Sequence, residues 1–215
     1  MGERMNNNEK IINILEKEYK DARCALNFTT PFELLIATML SAQTTDLTVN
    51  KATEILFKKY NTPEDFRRLD NKELEKYIKI CGLYKTKAKN IIEASKKIVT
   101  DYDGKVPSTL EELIKLPGVG RKTANVVLSN AFNKDAIAVD THVYRVSNRL
   151  GLSNSKDVNE TEEQLMKNIP KEKWSNAHHW LIWHGRKICS AKNPKCSICP
   201  LNHICKYYNE IKENN

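Results

Sequence analysis

Three observations predict an all-α protein. Apolar residues recur at three- and four-residue spacing along nearly the whole chain, helix-capping signatures open one segment after another, and strand patterns are almost absent. The short run Ala136–Val139 is read as an extended connector. At 215 residues the chain can bury a substantial core in one large or two small domains. A formal charge of +8 and a pI near 9.1 favour a polyanionic partner, although a lysine-rich solvated surface has the same composition. The opening MGERMNNNEK is polar where a signal peptide would be apolar, and no stretch of eighteen apolar residues occurs. A soluble, intracellular protein with no membrane partner is expected.

In chain order, Met1 to Asn8 is expected to fray, and Glu9 to Tyr19 places Ile11, Ile12, Leu15 and Tyr19 on one helical face. Thr30-Pro31-Phe32-Glu33 supplies an N-cap threonine, a proline suited to the first helical turn and a capping-box glutamate, before the apolar LLIATML of a buried helix. The polar loop Ser41–Asp46 separates it from an amphipathic helix over Leu47–Tyr60. Asp70 with Glu73, and Ser108 with Glu111, are two more capping signatures ahead of glycine turns. Further helices are expected from Asp140 to Leu150 with Gly151 as the stop, near Asn159–Asn168, and from about Trp174 to Ile188. Cys24 and Cys81 lie in apolar neighbourhoods and read as small core residues rather than a disulfide.

The glycine turns belong to an internal repeat. Ile78–Ala88 aligns without a gap on Ile114–Ala124, so that Gly82 corresponds to Gly118. In the second copy, Pro117-Gly118-Val119-Gly120 runs straight into a helix that carries Arg121 and Lys122. Glycines there leave amide N–H groups uncovered, and the positive end of the helix adds to them, so a phosphate is the natural guest. The first copy has Tyr84 in place of Gly120 and Thr86 in place of Lys122. It reads as a related scaffold without the chemistry.

The pattern L-P-G-V-G-R-K-T-A at 116–124 resembles the helix-hairpin-helix motif of DNA repair glycosylases. With Lys122 just past the hairpin and Val139-Asp140-Thr141-His142 one helix later, the chain is similar to the endonuclease III family. A hairpin alone is also carried by many non-catalytic DNA-binding proteins. The resemblance implies two helical lobes with a DNA-binding cleft between them: a central domain over 22–134 with the hairpin, and a terminal domain combining 1–21 with 135–215. It implies a bifunctional glycosylase and abasic-site lyase that removes oxidised pyrimidines from duplex DNA in base excision repair, working as a monomer on the nucleoid.

Base excision with strand cleavage needs an amine that attacks the anomeric carbon and leaves a Schiff base. Lys122 is the candidate nucleophile, its deprotonation helped by burial, Arg121 and the helix N-terminus; the bland alternative is a phosphate-binding surface lysine. Asp140 fits as the carboxylate that stabilises oxocarbenium-like charge or helps deprotonate the lysine, and it also stands at an N-cap position. His142 can contact phosphate or simply pack. Gly118, Val119, Gly120 and Arg121 are the hairpin's expected DNA contacts. An enzyme that extrudes a base must fill the gap, and the resemblance assigns that role to Gln43 and Leu83; Leu83 can equally be an ordinary core leucine.

Cys189, Cys196, Cys199 and Cys205 have the spacing C-x6-C-x2-C-x5-C, which suits a tetrahedral zinc or a four-iron cluster. The outer gaps resemble the cluster loop of the endonuclease III family and so imply one [4Fe-4S] cluster with a structural role. Lys192 and Lys195 in that loop can approach DNA phosphates. The expected partner is double-stranded DNA holding damaged bases or abasic sites. Two rivals remain: a monofunctional mismatch or deaminated-base glycosylase, a class that typically lacks the lysine, and a non-catalytic hairpin module, against which Asp140 argues.

Overall fold

The computed structural model describes residues 6–213, and among them there are helices and loops but no strand. The chain divides into two compact units, Cys24–Lys134 and a second built from Met1–Arg23 with Asp135–Asn215. The first division falls after Arg23, two residues beyond the boundary expected from the sequence.

The central unit contains α2 (Pro31–Leu40), α3 (Asp46–Leu56), α4 (Pro63–Arg68), α5 (Asn71–Ile78), α6 (Tyr84–Asp101), α7 (Leu110–Leu113) and α8 (Arg121–Ala131). Helix α2 is apolar on every side, and all its residues from Phe32 to Leu40 are buried. Such a helix is stable only when enclosed, and α3, α6 and α8 pack around it. Its N-terminus is capped by Thr30, whose hydroxyl accepts from the Glu33 N–H at 3.1 Å. The Glu33 carboxylate does not close the expected box on Thr30. It accepts instead from the backbone N–H and hydroxyl of Thr29 at 2.6 and 2.7 Å, which is how a buried carboxylate is satisfied here. The cap before α7 is Thr109 rather than Ser108, with Glu112 as its partner. Cys81 is buried as expected, whereas Cys24 is only half-buried.

The terminal unit contains α1 (Asn7–Glu18), α9 (Thr141–Leu150), α10 (Val158–Asn168), α11 (Trp174–Lys187) and α12 (Lys206–Glu213). Helix α1 starts at Asn7 because Asn6 forms a complete capping box with Glu9, so of the segment expected to fray, 7–8 are helical and Met1–Met5 lie outside the described residues. Ile11, Ile12 and Leu15 of α1 pack into one apolar core with Val143, Val146 and Leu150 of α9 and Trp180 and Leu181 of α11. Gly151 stops α9 in the left-handed conformation, φ 84°. The connector that precedes α9 is extended, with Ile137, Ala138 and Val139 buried. His178 of α11 holds it by donating from Nδ1 to the Ala138 carbonyl at 2.6 Å.

Beside His178, the ring of His179 is buried, and desolvation together with His178 brings its pKa down to about 3. An unfolded histidine takes up a proton near pH 6.5. Between these values the unfolded chain binds more protons than the folded one, so stability that is complete above about pH 6.5 is lost as the pH falls. Thermal unfolding followed by circular dichroism should therefore give a lower midpoint at pH 5 than at pH 7.5. A His179→Gln variant should show a shallower fall; an unchanged slope would contradict the assignment.

Candidate functional site

The second hairpin turn has a specific geometry. Gly118 adopts φ 76°, and a Cβ added there would meet the Asn90 Cβ at 2.8 Å and the Met39 Cε at 3.1 Å. Only glycine fits. Gly120 is different from the expectation for this turn: its φ of −95° and ψ of 175° are open to any residue, and nothing lies within 4 Å of where its Cβ would be. Its bare Cα leaves open space above the start of α8. Val119 is buried, and its N–H is engaged by the Leu116 carbonyl at 3.1 Å, so its contribution is to pack the turn rather than to offer an amide outward.

Helix α8 begins at Arg121 without a side-chain cap. By contrast, α1 to α5, α7, α9 and α10 each receive one. The first amides of a helix need partners, and an uncapped N-terminus beside Arg121 and Lys122 suits an anion. Lys122 is exposed, so the burial expected for it from the sequence is not found.

The two hairpin copies differ by one residue in where they turn left-handed. In the second it is Gly118; in the first it is not Gly82 but Leu83, at φ 58°. That shift tucks Val119 inward and turns Leu83 outward, 59% exposed, which removes the core-leucine alternative. Gln43 is also exposed, at φ 54°. The other non-glycine residues with positive φ among those described, Asp103, Asn133 and Asn193, are types that tolerate it. A leucine and a glutamine held there are strained, and such strain gathers at functional positions.

In the terminal unit Asp140 caps α9. Its Oδ1 accepts from the N–H groups of both His142 and Val143 at 2.8 Å, which fixes the carboxylate and leaves Oδ2 out of the cap. His142 is half-buried and packs: Arg145 Nη2 donates to its Nδ1 at 3.1 Å, which requires that nitrogen to be unprotonated. No sequence signal marks Arg145 or Arg149, yet both tie α9 to the cysteine loop. Arg145 donates to the Gly185 and Cys189 carbonyls at 3.1 Å each. Arg149 donates to the Cys189 sulfur at 3.4 Å and to the Ser190 carbonyl at 2.7 Å. One rigid helix thus runs from Asp140 to the cysteines. Their i, i+4 spacing puts both arginines on one face, but ordinary surface arginines share that pattern.

Cys189, Cys196, Cys199 and Cys205 line a single cavity between α9, the end of α11 and the start of α12. Among the described residues no three His, Cys, Asp or Glu side chains converge on a point that could hold a single metal ion. All four thiols nevertheless border this one cavity. Burial pushes the Cys199 thiol up to about 11 and raises Cys196 and Cys205, with neighbouring thiolates adding to the rise. Four thiolates can sit there together only around cations, so the donor set fits iron and sulfide. His184 Nε2 lies 3.7 Å from the Cys199 sulfur, and its Nδ1 pairs with the Tyr19 hydroxyl at 2.9 Å. Lys192 and Lys195 are exposed on this loop.

Residues 36–171 match the HhH-GPD superfamily of base excision DNA repair proteins, and 189–205 match the iron-sulfur binding domain of endonuclease III. Endonuclease III of Bacillus subtilis is 54% identical over 189 residues, covering 87% of this chain and 86% of the relative. That of Escherichia coli is 48% identical, covering 86% and 88%. The structure of a trapped endonuclease III–DNA covalent intermediate superposes with a TM-score of 0.90 at 49% identity, covering 97% of this chain and all of that one. A thermostable thymine-DNA glycosylase follows at a TM-score of 0.87 and 27% identity, covering 95% and 97%.

The geometry of the two hairpin glycines separates fold from binding. Gly118→Ala should destabilise the protein by about 2–4 kcal/mol, through its left-handed backbone and crowding against Asn90, seen in denaturant unfolding. Gly120→Val should leave stability within about 0.5 kcal/mol, yet weaken binding to damaged and undamaged duplex DNA alike in a titration at fixed salt. Weakening confined to damaged DNA would contradict a phosphate contact at this turn.

Proposed function

We infer the mechanism of this protein from the fact that the chain belongs to the endonuclease III family of helix-hairpin-helix base excision repair proteins. It is a DNA N-glycosylase with abasic-site lyase activity, its partner is DNA, and it carries a [4Fe-4S] cluster. The finer reading is that it removes oxidised pyrimidines from duplex DNA, acting as a monomer inside the cell.

What supports the residue assignment lies within each unit by itself: Lys122 stands at the uncapped start of α8, and the Asp140 carboxylate is fixed by its own helix cap. The hairpin backbone and Arg121 bind phosphate. The Lys122 amine attacks the anomeric carbon as the damaged base departs. Asp140 offsets the cationic charge that develops on the sugar. The attacking nitrogen gives up a proton and the C1′–O4′ bond opens, with O4′ taking up a proton, to leave a protonated imine that acidifies the adjacent C2′ carbon. Loss of the C2′ proton expels the 3′ phosphate, and water then releases the lysine. Gln43 and Leu83 fill the space vacated by the extruded base. Cys189, Cys196, Cys199 and Cys205 hold the cluster, which supplies iron–sulfur bonds that fix the loop bearing Lys192 and Lys195. A mismatch-glycosylase reading draws on the thymine-DNA glycosylase likeness, but Lys122 favours the lyase.

Lys122→Gln should abolish borohydride trapping on abasic DNA and strand cleavage while leaving DNA binding largely intact. Undiminished trapping would remove the lysine from the mechanism. Asp140→Asn, which keeps the cap, should lower excision by about a hundredfold and affect a pre-formed abasic site less. Equal losses would place Asp140 in activating the lysine. Excision from duplexes holding an oxidised pyrimidine should far exceed excision of a mismatched thymine, and the reverse order would favour the mismatch reading.

A further inference from the structure

Lys87, the fourth residue of α6, is not used by the mechanism above, yet it is 6% exposed. Burying an ammonium is costly unless its donors are satisfied. All three are: Lys87 Nζ donates to the Leu40 carbonyl at 2.8 Å, the Ala42 carbonyl at 2.7 Å and the Thr44 hydroxyl at 3.1 Å. Leu40 is the last residue of α2, so the ammonium also meets the negative end of that helix. Burial lowers the Lys87 pKa, as expected for a cation drawn out of water into a ring of neutral acceptors.

What this clamp holds is more telling than its own stability. Two of its acceptors, Ala42 and Thr44, stand immediately on either side of Gln43. The Thr44 hydroxyl also accepts from the N–H of Gly82 at 3.2 Å, and Gly82 immediately precedes Leu83. The Leu83 carbonyl in turn accepts from the Lys87 backbone N–H at 3.0 Å. A Cβ added to Gly82 would sit 3.4 Å from the Gln43 carbonyl oxygen, so the two backbones approach closely. One side chain therefore ties together the two loops whose tips, Gln43 and Leu83, are exposed and left-handed.

We propose that Lys87 is a positioning residue for base extrusion: it clamps the loop bearing Gln43 to the turn bearing Leu83, so that both tips enter the duplex as one rigid wedge. This rests on the gap-filling reading of Gln43 and Leu83. A wedge must displace a stacked pair, and any slack between its two tips is taken up by the loops rather than by the DNA. A purely structural lysine would instead affect every activity of the fold equally.

The test is a comparison under single-turnover conditions, using holoenzyme, of excision from duplex DNA holding an oxidised pyrimidine and of cleavage at a pre-formed abasic site. Lys87→Met should lower excision by at least about tenfold while changing abasic cleavage by less than about threefold. In a Gln43→Ala/Leu83→Ala background the same substitution should cost little further, because the tips it positions are gone. Thr44→Val, which removes only the shared hydroxyl from an accessible loop, should reproduce the selective loss more weakly and serves if Lys87→Met does not fold. Equal losses on both substrates, or an undiminished effect without the tips, would overturn the positioning role. If the Gln43→Ala/Leu83→Ala protein itself excises normally, the gap-filling reading fails; if it loses excision while Lys87→Met and Thr44→Val do not, only the role of Lys87 fails.

Discussion

The C-terminal end of α2 is the constraint on which the central unit depends. A helix apolar on every face must be enclosed, and enclosure removes water from the carbonyls at its end, which still require partners. Ser41 serves the Ala37 and Thr38 carbonyls through its N–H, and Lys87 reaches across from α6 to serve Leu40. One residue earlier, Met39 lies beneath the spot where Gly118 has no side chain. The tip of one buried helix therefore seats both hairpins, the first through a cation and the second through close packing. In the proposed reading position is what these turns need, since a phosphate contact or an intercalating side chain is useful only where the DNA is met at the right depth.

The terminal unit solves a parallel problem with α9. Its first turn is fixed by Asp140, and its later turns carry Arg145 and Arg149 to the carbonyls and sulfur at the start of the cysteine loop. Guanidinium groups suit this work because they keep their charge and present several donors in a fixed plane. His178 adds a restraint ahead of the helix by holding Ala138. A loop that would otherwise have little core of its own is thus secured by the same helix that presents the carboxylate.

Much of this was legible in the sequence wherever the physics is local. Thr30-Pro31, Asp70 and Asp140 announce helix starts, Gly151 announces a stop, and the apolar LLIATML announces a buried helix. Lys122 and the four cysteines stand in patterns that need no tertiary information to notice. What was not legible depends on contacts between distant segments. Ser108 and Thr109 each have a glutamate three residues on, and the burial of Leu113 accompanies the choice of Thr109. The short α4 is absent from the sequence-based expectations, although Thr62 and Asp65 form its capping box and Pro63 is its first residue. Leu83 and Val119 occupy equivalent places in the repeat, and only the displaced left-handed residue separates an exposed tip from a packed one. Lys87 lies in the lysine-rich stretch KTKAK, where nothing marks one ammonium as buried.

The central claim is that the hairpin presents Lys122 as the nucleophile. Its most direct test is mass spectrometry of the protein reduced with borohydride on abasic DNA, then digested with nuclease and protease. The peptide containing Lys122 should carry the deoxyribose remnant on its side-chain amine. Finding that remnant on any other amine, with Lys122 unmodified, would contradict the account.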